Sequence, residues 1–178
     1  VPDPHYADYH ERALFNHMLA SIDPEDGRVC YMVPVGGARQ GVLHEYQDMF
    51  RDFTCDVGTG MVRHALHGDG IYYEAPAGDR LWVNLYAPST AEWAAAGVRL
   101  SVETDFPEGE TAKLTFNVRA PREFTLALRR PYWAGAGFQA KLNGQPVAVT
   151  TAEPPANDPR RRSQYRDAEP DVSSYVEL

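Results

Sequence analysis

No apolar run in the 178 residues approaches the ~20 that a membrane-crossing helix needs, so a helical span is not expected. Positive charge is also in short supply. Against 25 Asp and Glu stand 17 Lys and Arg, a net charge of −8, which argues against nucleic acid or an anionic membrane surface as the main partner. The two cysteines, Cys30 and Cys55, are too few for a disulfide framework, and nothing in their spacing gives the geometry of a single bridge. A phosphate-binding glycine loop is missing as well, because Gly58-Thr59-Gly60 lacks both the lysine and the spacing. No secretory leader precedes the first motif, and Val1 already falls in a segment with helix signals. That start suggests a piece of a longer protein and leaves the compartment open.

What is present is an ordinary globular balance, 43% apolar and 24% charged, enough for one core or for one domain plus part of another. Asp3-Pro4 reads as a capping carboxylate followed by proline at the first helical position. Apolar residues at 6, 9, 13, 14, 15, 18 and 19 keep nearly helical spacing, so a helix is expected near 4–20 with one broad apolar face. Part of that face should stay exposed, a surface a second copy of the chain could cover as a homodimer. Asp23 to Gly27 reads as a turn, Arg28 to Val35 as a short strand, and 42–52 as a loop or short strand.

After Gly70 the period changes from helical to alternating. Ile71 to Glu74 and Leu81 to Tyr86 flank a turn at Pro76 to Asp79, and Val98 to Thr104 and Ala112 to Val118 alternate strictly. Phe124 to Arg129 repeats the alternation, and an Asn143-Gly144 turn joins two further short strands. Short strands with turns between them predict an antiparallel β-sandwich. Residues 152–171, with four prolines and Arg160-Arg161-Arg162, read as a solvated insertion rather than a basic recognition loop. Ser174 to Leu178 restarts a strand at the end of the chain with no partner following it, a second hint of truncation.

Chemistry concentrates in Phe53 to His64, FTCDVGTGMVRH. Here a thiol, Cys55, and a carboxylate, Asp56, precede a glycine-rich turn and a helix expected near 57–67, closed by Gly68-Asp69-Gly70. Just ahead of a helix N-terminus, unpaired N–H groups and the dipole favour anions, which suits a nucleophilic or metal-binding thiol. The plainer reading is a packed cysteine with Asp56 as a helix cap.

Three blocks in order, YADYHERALFNHMLASIDPEDG (6–27), FTCDVGTGMVRHALHGDGIYYE (53–74) and LWVNLYAPSTAEW (81–93), resemble the bacterial β-L-arabinofuranosidase-type glycoside hydrolases. Weaker likeness continues through LALRRPYWA (126–134) and AKLNGQPV (140–147). The resemblance implies an α+β chain, the end of an α/α toroid catalytic domain (1–75) followed by an antiparallel β-sandwich (76–178) truncated at its end. It also implies a retaining hydrolysis of β-L-arabinofuranosyl linkages in a plant- or microbe-derived glycan, with a zinc-bound cysteine thiolate as nucleophile and a glutamate as acid and base. The matching nucleophile is Cys55.

Two departures stand in the cysteine block. Where the family carries a second cysteine this sequence has Asp56, a harder oxygen ligand that zinc still accepts, so Cys55 and Asp56 are the candidate metal ligands. Where many relatives carry a glutamate it has Val62. The family's acid/base glutamate and its other zinc ligands lie ahead of the first matched block, so no residue here receives them, and the chain alone is expected to be inactive. The rival reading is a non-catalytic carbohydrate-binding or scaffold sandwich with a decayed site, and Asp56 and Val62 favour it.

Other candidates are weaker. His64 and His67, three apart on one helix, could share a metal but lack an evident third ligand, and His5, His10 and His17 follow no ligand spacing. Glu11 reads as a structural helix residue. Trp82, Trp93, Tyr132 and Trp133 could stack on a sugar but read more simply as sandwich core.

Overall fold

The computed structural model describes residues 2–32, 45–46, 48, 51–52, 54–149 and 173–178. They form two compact units, Tyr9–Asp69 and a larger one made of Val1–Asp8 with Gly70–Leu178.

Helix α1 (Pro4–Ala13) starts where Asp3 and Pro4 place it. The Asp3 carboxylate accepts from the His5 N–H at 3.0 Å, satisfying a donor that the first turn leaves unpaired. The helix then widens into a π-helical turn, Leu14–Met18, and tightens into a 3-10 turn, Leu19–Ser21. Part of the apolar face is exposed, as expected, and the buried side of the helix carries two acidic residues. Tyr6 is 71% and Tyr9 68% exposed, while Ala7, Asp8, Glu11 and Leu14 are buried. The 23–27 turn forms as expected, with Glu25 N–H donating to the Asp23 carboxylate at 3.0 Å and Gly27 at a φ of 79°. Strands β1 (Cys30–Met32) and β2 (Glu45–Tyr46) pair antiparallel. The expected strand over 28–35 is thus observed as three residues, and its last three positions lie outside the described ones.

Helix α2 (Cys55–Ala65) begins two residues earlier than its sequence pattern suggests, and a 3-10 turn, His67–Gly70, closes it. Gly58, Thr59 and Gly60 are therefore helix interior, not a turn. Two features accompany the helical course. The Thr59 hydroxyl donates to the Cys55 carbonyl at 2.8 Å, one helical turn back. Gly60 also lies close to Val29, whose Cγ2 would be 3.6 Å from a Cβ at that position.

The larger unit is a two-layer sandwich. Its strands are β3 (Tyr72–Glu74), β4 (Arg80–Val83), β5 (Ser89–Trp93), β6 (Val98–Thr104), β7 (Ala112–Val118), β8 (Thr125–Arg130), β9 (Ala140–Leu142), β10 (Gln145–Val147) and β11 (Ser174–Glu177). One sheet runs β11-β8-β4-β3 and the other β5-β6-β7, while β9 and β10 form a hairpin. In that hairpin Asn143 and Gly144 both take positive φ, 50° and 83°, as a tight two-residue turn demands. The core lies between the sheets: Leu81, Val83, Leu126 and Leu128 from one meet Trp93, Val98, Leu100 and Val102 from the other. Each such side chain contributes roughly 1.5–3 kcal/mol on leaving water. Alternation along β6 sets the facing, with Val98, Leu100 and Val102 buried and Arg99 exposed.

Two details differ from the sequence reading. Pairing within the sheets is antiparallel except for β4 and β8, which run parallel from Arg80↔Thr125 to Val83↔Leu128. A parallel pair requires a long crossover, and here the whole β5-β6-β7 sheet supplies it. Strand β11 also has a partner. It pairs antiparallel with β8 from Ser174↔Arg130 to Glu177↔Ala127, because its partner precedes it in sequence by some 44–50 positions. The 152–171 insertion lies outside the described residues.

A buried polar network joins residue 8 to the sandwich. Arg129, fully buried on β8, donates to the Asp8 carboxylate at 2.7 Å and to the Ser173 hydroxyl at 3.2 Å. Ser173 N–H donates to the other Asp8 oxygen at 3.0 Å, and Arg129 Nε donates to the Asn84 carbonyl. Tyr175 donates to the Asn84 side-chain oxygen, and burial raises its phenol above the ordinary range.

Candidate active site

Cys55 is the first residue of α2, inside the helix rather than ahead of it, and it is exposed. Thr54 precedes it in an extended conformation (φ −82°, ψ 167°) and turns the chain into the helix. Cys55 thus belongs to the first turn, at the positive end of the helix dipole. Asp56 is the second residue of α2, and its side chain lies outside the described residues.

An open recess runs from Cys55 along one face of α2, past Gly58, Thr59, Val62, Arg63 and Leu66. These positions follow Cys55 by three, four, seven, eight and eleven residues, which places them on one helix face. Among the described residues nothing stands within 4 Å of where a Gly58 Cβ would be. Val62 is 58% and Leu66 51% exposed, giving the recess an apolar floor. Such a face can admit the carbon skeleton of a ligand while the thiol reaches its electrophilic atom.

The histidines three apart on the sequence do come together. His64 Nδ1 lies 3.0 Å from His67 Nε2, and the His10 ring stacks beside His67 with centroids 6.4 Å apart. Burial, then the neighbouring His64 and His10, hold the His67 ring below the usual histidine range. Among the described residues no three His, Cys, Asp or Glu side chains gather as a metal site. Cys55 has the donor chemistry of a zinc ligand, but the described residues do not complete the four-ligand set that zinc takes.

The other candidates separate by burial. Trp82 and Trp93 are both buried, and Trp93 lies in the core between the sheets with its ring edge-on to Phe124 at 5.4 Å. Tyr132 is half-buried, while Trp133 is 52% exposed and stacks on Phe106 at 5.5 Å. No four-ring platform forms, since two of the four rings are buried. Glu11 is buried in α1, in keeping with a structural role. The network around Asp8 and Arg129 escaped the sequence reading, because nothing in the local spacing of either residue signals a partner.

Comparison with known proteins gives two family-model matches in chain order. Residues 1–69 match the catalytic domain, and residues 80–156 the middle domain, of the GH127 β-L-arabinofuranosidases. Among solved structures, the chain is similar to a GH127 β-L-arabinofuranosidase from Geobacillus stearothermophilus T6. The TM-score is 0.66 at 25% identity, covering 99% of this chain and 26% of that one. The chain therefore spans about a quarter of the length of that relative. No curated protein matches it.

Proposed function

We propose a function from one premise: the chain belongs to the GH127 β-L-arabinofuranosidase family. The activity proposed for the whole protein is retaining hydrolysis of β-L-arabinofuranosyl linkages in an arabinose-containing glycan, with Cys55 as nucleophile. The sulfur forms a bond to the anomeric carbon as the bond to the leaving oxygen breaks, and that oxygen takes a proton from a carboxylic acid. Water then attacks the same carbon, the carbon–sulfur bond breaks, and the thiolate is regenerated as the carboxylate accepts the water proton. No residue of this chain is assigned as that acid and base. The observation that carries the reading is the exposed thiol at the first position of α2, beside an open recess.

Cys55 and Asp56 would supply two ligands to a zinc ion, with the remainder coming from outside the described residues. When bound, the ion would supply positive charge that favours the thiolate. What the chain itself contributes is the placement of the sulfur, exposed at the start of α2 beside the open recess.

The test uses the full-length protein. Cys55→Ser should lower hydrolysis of an arabinofuranoside by ~10³-fold or more while far-UV circular dichroism stays unchanged. A covalent sugar adduct on Cys55, seen by mass spectrometry with a slow substrate, would support the nucleophile directly. Asp56→Ala should lower zinc content, and Asp56→Cys should keep it. If Cys55→Ser retains the parent rate, Cys55 is not the nucleophile. A second reading, a glycan-binding module without catalysis, is favoured by exposed Val62, which stands where many relatives have a glutamate. It predicts glycan binding with no turnover in the parent protein.

A further inference from the structure

At the far end of α2 from Cys55, nine residues and about 13 Å along the helix axis, three imidazoles meet within one compact unit. His64 belongs to the last turn of α2, His67 to the 3-10 turn that follows, and His10 to α1. His64 Nδ1 and His67 Nε2 face each other at 3.0 Å, with the rings at 74°. Two nitrogens bound side by side to one transition-metal ion at ~2.0–2.1 Å lie about 2.8–3.4 Å apart, so the pair already has the spacing of a chelate. We propose that His64 and His67 form a binding site for a single divalent transition-metal ion of the kind that accepts imidazole (zinc, nickel or copper), separate from Cys55.

The proton balance is simple. In the metal-free pair, one of the two facing nitrogens carries the hydrogen that bonds them. An ion needs both lone pairs, so that proton moves to the far nitrogen of its own ring, and a neutral pair loses no proton on binding. Helical geometry keeps the pair assembled before the ion arrives, because residues three apart share a face. His10 lies beside His67, its ring at 25° with centroids 6.4 Å apart, and is not needed as a ligand. Two protein ligands leave the remaining positions to water, so binding should be weaker than at a closed four-ligand site and should follow the order copper above nickel or zinc.

The experiment uses full-length protein carrying Cys55→Ser, stripped with a chelator and titrated with Cu2+. Removing the thiol weakens the proposed catalytic zinc site, and comparing this protein with its two glutamine variants separates the imidazole pair from any ligands that site keeps. One equivalent of Cu2+ should give an electron paramagnetic resonance spectrum with two nitrogen ligands, and that signal should be the one the glutamine variants lose. His64→Gln and His67→Gln should each weaken binding tenfold or more, while His17→Gln should stay within about twofold. Protection of His64 and His67 from diethyl pyrocarbonate by Zn2+ in the Cys55→Ser protein provides a second readout, which decides the matter if a glutamine variant fails to fold. Equal affinity in the parent and both glutamine variants would overturn the proposal, as would modification of His64 and His67 that Zn2+ does not slow. In either case the pair is a hydrogen bond and nothing more.

Discussion

Asp8 and Arg129 stand 121 positions apart in sequence and 2.7 Å apart in space, both nearly or fully out of solvent. A buried charge survives only when paired and hydrogen-bonded, and here Ser173 and the Asn84 carbonyl complete the partners. Removing one member leaves the other charge buried without its counter-ion. Asp8→Ala should therefore cost about 3–5 kcal/mol, and Arg129→Met a similar amount. The double variant should lose clearly less than the sum, because it strands no charge. Urea denaturation of the three variants with an unchanged slope checks this. An additive double variant would mean that the two charges do not act as a pair. At this scale the sequence is least legible. Single Asp and Arg residues usually face water, so nothing marks these two as interior. Tyr6 and Tyr9 are exposed, as an apolar face left uncovered should be, but nothing in the spacing marks Asp8 and Glu11 as the buried side of the helix.

At the scale of elements, regular periods were legible and glycine was not. Strands β6 and β7 occupy the residues their alternation marks, and the Asn143-Gly144 hairpin forms as its turn chemistry requires. Gly58 and Gly60 were harder, because glycine is permitted in a turn and merely unfavourable in a helix. Which state wins depends on the rest of the fold, which local sequence does not show. Cys55 could be singled out as a candidate, but its position inside the helix could not be read from the glycines that follow it. The two readings of this segment give opposite results for one substitution. Within a helix, and with no atom within 4 Å of its Cβ, Gly58→Ala should stabilise the protein by about 0.5–1 kcal/mol. In a glycine-requiring turn the same change would destabilise it. The midpoint of chemical denaturation decides between them.

Across the whole molecule, burial is uneven. The sandwich holds its core between two sheets, with Val83 and Leu100 fully buried and Val98 nearly so. In α2, by contrast, Cys55, Gly58, Thr59, Val62 and Ala65 are exposed, and of the residues with described side chains Gly60 alone is buried. The change of sequence period near Gly70 announced this contrast, since alternation over many strands describes a surface with a dry side. How much of the helical face is left uncovered is a tertiary quantity that no local pattern reports. Local stability should follow burial, because an amide exchanges through the cheapest opening that frees it. In the 178-residue chain, amides of β4, β6 and β8 should exchange only through the largest openings. Those of α2 should exchange at least ~100-fold faster, about 3 kcal/mol lower in opening free energy by the usual factor of ten per 1.4 kcal/mol. Hydrogen exchange read by mass spectrometry at peptide resolution makes the comparison in one sample. If α2 proves as protected as β6, the exposed face around Cys55 does not govern its stability, and the helix is held by interactions other than the burial of its own side chains.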